Sequence, residues 1–305
     1  MPAIEVQGLR KTYGSVQAVR DISFEVEEGE VFALLGPNGA GKTTTVEILE
    51  GYRRRDAGRV SVLGFDPGRG DRHLKEQIGI VLQTTGVELY LTVAETIDMF
   101  RDYYPHPRPL QEILEVVGLV AQRARRVGKL SGGQQRRLDV GVALAGDPTL
   151  LFLDEPTTGF DPGARRNAWG MVKNLAALGK TVFLTTHYMD EAQYLANRVA
   201  IIAGGEIVAE GPPATLAGRE TAATTIRFRQ PSTSALPEWA RGEASIADGI
   251  VEIKSKDPTR ALHELTGWAL DQGLQLDDLQ VTRPSLEDVY LEITGATTAQ
   301  EEGSG

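Results

Sequence analysis

The chain has 305 residues, of which 41% are hydrophobic, so it can bury a substantial core in one large domain or in a large and a small one. It contains no cysteine, which excludes disulfides and thiolate metal sites. The net charge of -10 and the pI near 5.1 argue against nucleic-acid binding, because such proteins usually present a basic surface.

No segment approaches the roughly 18 to 20 apolar residues that a membrane helix needs. The N-terminus, MPAIEVQGLR, lacks the basic and then apolar pattern of a secretory signal. We therefore expect a soluble chain that stays in the compartment where it is made.

Short apolar runs alternate with amphipathic stretches up to residue 217. The runs typical of strands are IEVQGL, ISFEV, VFALL, RVSVL, IGIVL, LLFL, TVFLTT and VAIIA. Helical patterns follow several of them, as in GKTTTVEILEGY and PGARRNAWGMVKNLAAL. This order predicts an α/β domain over 1–217, with a parallel sheet covered by helices. Helical periodicity over about 86–147 predicts a helical insert.

The pattern of predicted strands and helices changes at a junction over 212–225. Beyond it, TIRFRQ, GIVEIKS and DDLQVT predict strands, whereas TRALHELTGWALDQG and SLEDVYLEIT predict helices. Residues 220–295 are therefore predicted to form a small α+β domain. The terminal segment 296–305 is polar and rich in small residues, which predicts disorder.

Residues 36–43, GPNGAGKT, match the phosphate-binding pattern G-x-x-x-x-G-K-[ST] between a predicted strand and a predicted helix. Glycines allow successive backbone N–H groups to surround phosphate oxygens, and the helix N-terminus adds partial positive charge. Lys42 can reach the β- and γ-phosphates, and Thr43 can offer its hydroxyl to Mg²⁺. The pattern predicts a nucleotide site without choosing among kinases, GTPases and ATPases.

The run LLFLDEP at 150–156 is an apolar strand that ends in two carboxylates. Adjacent residues on a strand point in opposite directions, which suits two separate roles. Asp154 is suited to hold Mg²⁺, and Glu155 to accept a proton from the attacking water or to orient it. The alternative is a strand that stops at a solvated acidic turn before Pro156.

Residues 130–137, LSGGQQRR, place Ser131, Gly132 and Gly133 before a predicted helix. A hydroxyl and backbone N–H groups at a helix N-terminus form a second candidate phosphate site. A single chain has no evident use for two phosphate sites so far apart, whereas two copies arranged head to tail use both. The alternative is a capped helix that binds nothing.

With these motifs in this order, residues 3–217 resemble the ATPase domain of ABC transporters. The resemblance implies a P-loop NTPase fold with a helical subdomain, here followed by the small α+β domain. It implies ATP and Mg²⁺ as cofactors, with Thr43, Gln83 and Asp154 on the metal ion. It also implies catalysis by Glu155, by His187 in TTHYMDEA and by Asp161, which stands in GFD where the family more often has GLD. The implied nucleotide-binding residues are Tyr13, which in the family stacks on adenine, Gly36, Pro37, Asn38, Gly39, Ala40, Gly41, Lys42, Thr43, Thr44, Gln83, Ser131, Gly132, Gly133 and Gln134.

Within that family, TTHYMDEA, VAIIAGGEIVAEGPP and RPSLEDVYLEITG are similar to bacterial exporter subunits of the daunorubicin-resistance type. The similarity implies export of a drug-like or lipid-like substrate through a separate membrane permease of about six transmembrane helices. It implies a second copy of the ATPase as a homodimer partner, and a location at the cytoplasmic face of the cell membrane. The C-terminal domain would then stabilise the dimer or bind a regulatory ligand.

Other functional classes fit the sequence less well. A non-transport ABC ATPase acting on a ribosome or nucleic-acid complex usually has two ATPase domains or a long coiled coil, and neither is visible. LSGGQ argues against a kinase, and the presence of both Glu155 and His187 argues against a binding module without catalysis. No nucleic-acid partner is expected.

The predicted permease docking surface lies beside Gln83 and is formed by the segment TTGVELYLT at 84–92 and the helical insert after it. It groups Val87, Leu89, Tyr90 and Leu91, which a loop rarely exposes without a partner. The alternative is that these side chains pack the helical insert.

Overall fold

The computed structural model describes residues 2–81, 86–216, 223–229, 236–241 and 244–294. The chain divides into two compact units, Met1–Pro213 and Ala214–Gly305. We call them the first unit and the C-terminal unit. Gln83 and the predicted disordered segment 296–305 lie outside the described residues.

The first unit combines strands and helices along its length. Its strands are β1 (Ile4–Tyr13), β2 (Val16–Val26), β3 (Val31–Leu35), β4 (Ala57–Val62), β5 (Ile78–Val81), β6 (Leu150–Asp154), β7 (Thr181–Thr186), β8 (Arg198–Ala203) and β9 (Glu206–Gly211). Its helices are α1 (Lys42–Leu49), α2 (Arg72–Gln77), α3 (Val93–Arg101), α4 (Leu110–Val116), α5 (Gly132–Ala143), α6 (Pro162–Ala177) and α7 (Met189–Leu195).

A six-stranded sheet with the order β5-β6-β7-β3-β8-β9 carries the site. All its neighbouring strands are parallel except β8 and β9. Every residue of β3 and β7 is buried, which explains their continuous apolar or small-polar runs: such strands are covered on both faces. Phe32 on β3 and Phe183 on β7 stack with ring centroids 5.6 Å apart, at the centre of the core. The carboxyl ends of these strands therefore meet at one edge of the sheet.

The strands β1, β2 and β4 form a separate antiparallel sheet with the order β2-β1-β4. The prediction of a parallel sheet is wrong for these three strands. Only two residues separate β1 from β2, and a parallel crossover needs a dozen or more. Both edges of β1 are paired, since Ile4 lies opposite Val26 on one side and Val62 on the other.

The helices α3, α4 and α5 occupy the region for which the sequence predicts a helical insert. In the sequence these helices lie between β5 and β6. In the sheet the two strands are hydrogen-bonded neighbours, with Ile78 opposite Leu150. Two of the helices begin with a capping box, formed by Thr92 and Glu95 at α3 and by Ser131 and Gln134 at α5. The insert thus leaves the sheet and returns to it without breaking the pairing of β5 with β6.

The C-terminal unit is a small α+β structure. Its elements are β10 (Thr224–Arg229), α8 (Glu238–Arg241), β11 (Ala244–Ala247), β12 (Ile250–Ser255), α9 (Pro258–Asp271), β13 (Asp277–Thr282) and α10 (Leu286–Thr294), with the antiparallel order β11-β12-β10-β13. Ile226, Phe228, Val251, Ile253 and Leu265 lie in its core. The predicted α/β fold with a small C-terminal α+β domain is confirmed.

The sequence prediction missed β11, which pairs with β12 across a two-residue turn. Asp248 and Gly249 form this turn, and both have positive φ angles, 51° and 75°. An Asp-Gly pair is the usual signal for such a turn, so the sequence contained the information. Among the residues that the structure describes, no helix has the length and apolar character needed to cross a bilayer.

Candidate functional site

The phosphate-binding loop lies between the end of β3 and the start of α1, as the pattern predicts. A side chain at Gly36 would place its Cβ 2.3 Å from the carbonyl oxygen of Ile202. One at Gly41 would meet the carbonyl oxygen of Ala18 at 2.3 Å, on a backbone with φ of 106°. Both positions therefore require glycine, and the loop can bring its backbone N–H groups close to an anion.

Lys42 is the buried cation of this loop. It is 4% exposed, and its Nζ donates hydrogen bonds to the carbonyl oxygens of Gly36 at 2.7 Å and Pro37 at 3.1 Å. Glu155 Oε1 lies 3.3 Å from the same Nζ. Phosphate oxygens are stronger partners for an ammonium group than backbone carbonyls, so Lys42 is held where a phosphate can take over its contacts.

The loop and the acidic strand end share one cavity. Its lining consists of Ala18, Asn38, Gly39, Gly41, Lys42, Thr43, Thr44 and Glu155. Tertiary packing thus unites two motifs that are more than a hundred residues apart in sequence. The cavity contains a cation, a carboxylate and two threonine hydroxyls, which is a suitable donor set for a nucleotide phosphate with a divalent ion.

The two carboxylates at the end of β6 differ in backbone geometry. β6 ends at Asp154, whereas Glu155 has a positive φ of 45°, which is uncommon outside glycine. The expectation that both residues lie on the strand is therefore wrong for Glu155. Its N–H donates to Thr185 Oγ1 at 3.0 Å on the neighbouring strand β7, and this contact supports the turn. Thr185 also donates its hydroxyl proton to Asp154 Oδ1.

The protonation of the two carboxylates follows from their surroundings. Burial raises the pKa of Asp154 above its ordinary value. Burial also acts to raise the pKa of Glu155, but the Thr158 hydroxyl, Lys42 and His187 together lower it below its ordinary value. Glu155 is therefore ionised at neutral pH and able to accept a proton.

His187 follows β7 and lies beside Glu155. Its Nδ1 is 3.3 Å from Glu155 Oε2. This Nδ1 is buried and makes no aligned hydrogen bond within the described part of the chain. The two atoms are therefore close to each other without forming a hydrogen bond. The imidazole thus keeps a polar atom available next to the cavity that Lys42 and Glu155 line.

We call LSGGQQRR at 130–137 the signature segment, and it begins the helix α5 of the first unit. Ser131 is the N-cap of α5, and its Oγ accepts the N–H of Gln134 at 3.4 Å. The helix starts at Gly132, so Gly132 and Gly133 lie in its first turn and not before it as predicted. The capping box fixes the turn, because the Gln134 Oε1 accepts the N–H of Ser131 in return.

Ser131, Gly132, Gly133 and Gln134 line an open cavity together with Phe160 and Asp161. The cavity that holds Lys42 and Thr43 is lined by other residues. One chain therefore presents its two candidate phosphate sites in two cavities that share no lining residue, which is compatible with the head-to-tail hypothesis.

Comparison with known proteins finds relatives that match this chain over nearly its whole length. The family described as "ABC transporter" matches residues 19–158, and "ABC transporter domain-containing protein-like, C-terminal domain" matches residues 224–285. The chain is 37% identical to the daunorubicin resistance ATP-binding protein DrrA2 of Streptomyces coeruleorubidus, over 98% of this chain and 97% of that protein. It is 36% identical to the linearmycin resistance ATP-binding protein LnrL of Bacillus subtilis, over 96% and 99%. The chain belongs to the ABC transporter ATP-binding proteins.

Solved structures agree with this assignment. An ATP-binding cassette of an ABC transporter in its ADP conformation matches with a TM-score of 0.63 and 27% identity, over 70% of this chain and 91% of that one. A dimeric cassette in a post-hydrolysis state, bound to ADP and phosphate, matches with a TM-score of 0.60 and 25% identity, over 68% and 98%. This ABC protein is therefore an ATPase that binds nucleotide and couples hydrolysis to transport, as the motifs predict.

Asp161 caps a helix in this ABC ATPase. It precedes α6, and its Oδ1 accepts the N–H groups of Gly163 at 2.8 Å and Ala164 at 2.9 Å. The carboxylate is thereby held in the lining of the cavity that Ser131 and Gly133 also line. These two hydrogen bonds explain the aspartate at position 161, because aspartate is a preferred N-cap residue. They do not involve Phe160, which stands where the family more often has leucine.

Tyr13 ends β1 with 39% of its surface exposed. Two cations lie near its ring: Lys11 Nζ is 5.4 Å and Arg53 Cζ is 5.2 Å from the centroid. An exposed aromatic ring between cations can stack on a nucleobase. The predicted role of Tyr13 stays a prediction.

The sequence analysis missed Arg136, which connects the two motifs within one ABC ATPase chain. Arg136 lies on α5, and its Nη2 donates to the carbonyl oxygen of Asp154 at 3.2 Å and its Nε to that of Pro156 at 3.3 Å. The signature helix is thus attached to the strand end that carries Glu155. The Arg-Arg pair in LSGGQQRR did not distinguish the buried arginine from its half-buried neighbour, because burial depends on tertiary packing.

Proposed function

We propose that this ABC ATPase powers an exporter that moves a drug-like or lipid-like substrate through a separate membrane permease of about six transmembrane helices. Three relatives support this proposal by their names, which refer to daunorubicin resistance, linearmycin resistance and Nod factor export. The Nod factor export ATP-binding protein I of Rhizobium sp. strain N33 is 38% identical over 96% of this chain and 97% of that protein. The similarity extends through the C-terminal unit, since the match to this relative spans 96% of this chain.

The observation that carries the permease proposal is the exposure of Leu89 and Tyr90, at 56% and 81%. The backbone beside them is fixed, because the carbonyl of Leu89 accepts the N–H of Gly128 at 3.0 Å and that of Leu91 accepts the N–H of Val127 at 2.8 Å. A loop with a hydrogen-bonded backbone and two solvent-exposed apolar side chains indicates binding to a partner protein, not packing within the chain. Val87 and Leu91 are half-buried, and Thr84 and Thr85 lie outside the described residues.

In the proposed mechanism, two copies of the chain close head to tail with two ATP molecules between them. Each nucleotide is held by Tyr13 and by residues 36–44 of one copy, and it is contacted by Ser131 and Gly133 of the other. Closure brings the second set of N–H donors to the phosphates. Hydrolysis removes the shared ligand and reopens the pair, which shifts the conformational population of the permease.

Glu155 is proposed as the general base. Its lowered pKa keeps it ionised, and it can take a proton from a water molecule next to the γ-phosphate. His187, next to Glu155 Oε2, would hold the γ-phosphate, and Asp161 of the second copy would help to fix the geometry. The Thr43 hydroxyl, the Gln83 amide and the Asp154 carboxylate are oxygen donors of the kind that Mg²⁺ prefers, so we assign them as its ligands. A bound Mg²⁺ offsets phosphate charge.

Co-purification tests the proposal. Tagged full-length protein, extracted from its own membranes in mild detergent, should bring down one permease. Leu89→Asp and Tyr90→Asp should abolish that complex and leave basal ATP hydrolysis near the wild-type rate, because neither side chain lines the nucleotide cavity. Leu178→Asp is the matched control, since Leu178 is also an exposed apolar residue (43%) of the same unit but lies at the end of α6.

The complex would place the chain at the cytoplasmic face of the membrane. Recovery of ribosomes or of DNA-bound assemblies, without any membrane protein, would overturn the exporter proposal. The runner-up, a non-transport ABC ATPase, would then replace it.

A further inference from the structure

Glu191 is a fully buried acidic residue that the proposed mechanism does not use. It lies in the first turn of α7 and is 0% exposed. Burial raises the pKa of its carboxyl above the ordinary value. A carboxyl in such a place is costly unless hydrogen bonds compensate its desolvation. Its hydrogen bonds therefore identify what the residue does.

The Oε1 atom of Glu191 accepts two hydrogen bonds from two other elements. Thr157, in the turn after β6, donates its hydroxyl at 2.8 Å, and Trp169, on α6, donates its indole N–H at 3.0 Å. The Trp169 ring also stacks on Tyr194 of α7, with the centroids 5.0 Å apart. Three separate segments thus meet at one carboxylate oxygen.

Each of these segments carries one candidate catalytic residue. Thr157 follows Glu155 by two positions, and its neighbour Thr158 donates to Glu155 Oε2 at 3.0 Å. Glu191 follows His187 by four residues, two positions inside the helix that begins at Met189. Trp169 lies two turns along the helix that Asp161 caps.

We propose that Glu191 is a positioning residue that holds the Glu155 turn, the His187 segment and the Asp161 helix in one fixed arrangement. Glu155 Oε2 and His187 Nδ1 are only 3.3 Å apart, and a shift of one segment by an ångström would separate them. The positive φ of Glu155 makes such a support necessary, because an uncommon backbone conformation persists only where its surroundings hold it. This inference rests on the proposed catalytic role of Glu155.

Steady-state kinetics of the full-length chain tests the inference. Thr157→Val removes one donor without changing the shape of the side chain, and Glu191→Ala removes the acceptor. Both should lower kcat by about tenfold or more, since small misplacements of reacting groups have effects of that size. KM for ATP should stay within about twofold, because the Lys42 cavity is untouched. Glu191→Gln keeps the shape and an oxygen acceptor, and should retain kcat within about threefold.

Thr96→Val is the matched control. Thr96 is also fully buried, and its hydroxyl donates a hydrogen bond at 2.9 Å to the carbonyl of Thr92, far along the chain from the catalytic candidates. It should lower the melting temperature about as much as Thr157→Val and leave kcat unchanged. Equal loss of kcat in the two threonine variants, or wild-type kcat in Thr157→Val, overturns the inference.

Two further variants cover the remaining outcomes. Should Glu191→Ala not fold, Trp169→Phe removes the second donor and is expected to reduce kcat with KM retained. Glu155→Gln separates the two hypotheses. Wild-type turnover in Glu155→Gln would overturn both the general-base role and this inference, whereas an inactive Glu155→Gln with a normal Thr157→Val overturns the positioning role alone.

Discussion

The first unit contains the ATPase motifs, and we call it the ATPase unit. The ATPase unit and the C-terminal unit bury different kinds of side chain. Among the described residues, the buried charged side chains are Glu30, Lys42, Glu50, Arg136, Asp139 and Glu191, and all belong to the ATPase unit. In the described part of the C-terminal unit, the buried side chains are apolar apart from Thr224. Buried charge costs stability unless it is partnered, so the ATPase unit depends on specific polar contacts such as those of Lys42 and Glu191.

This difference indicates that the two units respond to substitution in different ways. In the ATPase unit, activity depends on contacts that can be removed with little loss of packing. In the C-terminal unit, the cluster around Phe228 and Leu265 is a conventional apolar core, and its residues should affect stability alone.

Glu155→Gln should have the largest effect on activity. It keeps the size of the side chain and removes the proton acceptor, so turnover should fall by about a hundredfold to ten-thousandfold. Stability should change little, and ATP should trap a closed dimer, visible by size-exclusion chromatography. A folded variant with the wild-type rate of hydrolysis would contradict the assignment of the base.

Leu265→Ala tests the apolar core of the C-terminal unit. Leu265 is fully buried in the C-terminal unit, so its truncation should lower the free energy of unfolding by about 2 to 5 kcal/mol. Leu270→Ala on the same helix is the control, because Leu270 is 79% exposed and should change stability by less than about 0.5 kcal/mol. At a temperature where all variants are folded, kcat should be unchanged. A loss of kcat in Leu265→Ala would show that the C-terminal unit also supports the chemistry.

Glu50→Gln tests the cost of burying an ionisable group. Burial, with a smaller contribution from Asp154, raises the pKa of Glu50 to about 8. Between its ordinary pKa of 4.5 and this value, the unfolded chain has lost a proton that the folded chain keeps, so stability falls as the pH rises through this window. Glutamine cannot ionise, and the variant should therefore be more stable by up to about 3 kcal/mol at pH 7.

Denaturant unfolding in EDTA, from pH 4 to 9, measures this effect. The advantage of Glu50→Gln should disappear below about pH 4.5 and reach its maximum above about pH 8. Glu28→Gln, at an exposed position, should show no such pH dependence. A pH-independent difference between Glu50→Gln and the wild type would contradict the raised pKa.

Tyr13→Ala should have the smallest effect. Loss of base stacking should weaken ATP binding by about 1 to 3 kcal/mol, measured by titration calorimetry. Tyr103→Ala is the control, because Tyr103 is also an exposed tyrosine (73%) of the same unit but follows α3, far along the chain from the phosphate-binding loop. An unchanged dissociation constant for ATP would leave Tyr13 as a surface aromatic. Because stacking is tolerant of the base, GTP should also be hydrolysed.

Local sequence patterns determined much of this protein. The loop from Gly36 to Lys42, the strands β3, β6 and β7, and the helix that Ser131 caps depend on residues within about ten positions, so their signals are short-range. The same holds for the elements β10, β12, α9, β13 and α10 of the C-terminal unit. The order of the motifs was sufficient to identify the family.

Tertiary structure alone decided which elements meet. The pairing of β1 with β4, and the approach of Lys42 and His187 to Glu155, join residues distant in sequence. The sequence around Arg136 and Glu191 is that of ordinary charged helix residues, and nothing local distinguishes a buried carboxyl from a solvated one. Burial is a property of the whole packed chain, because the groups that compensate a buried charge come from segments that only folding brings together.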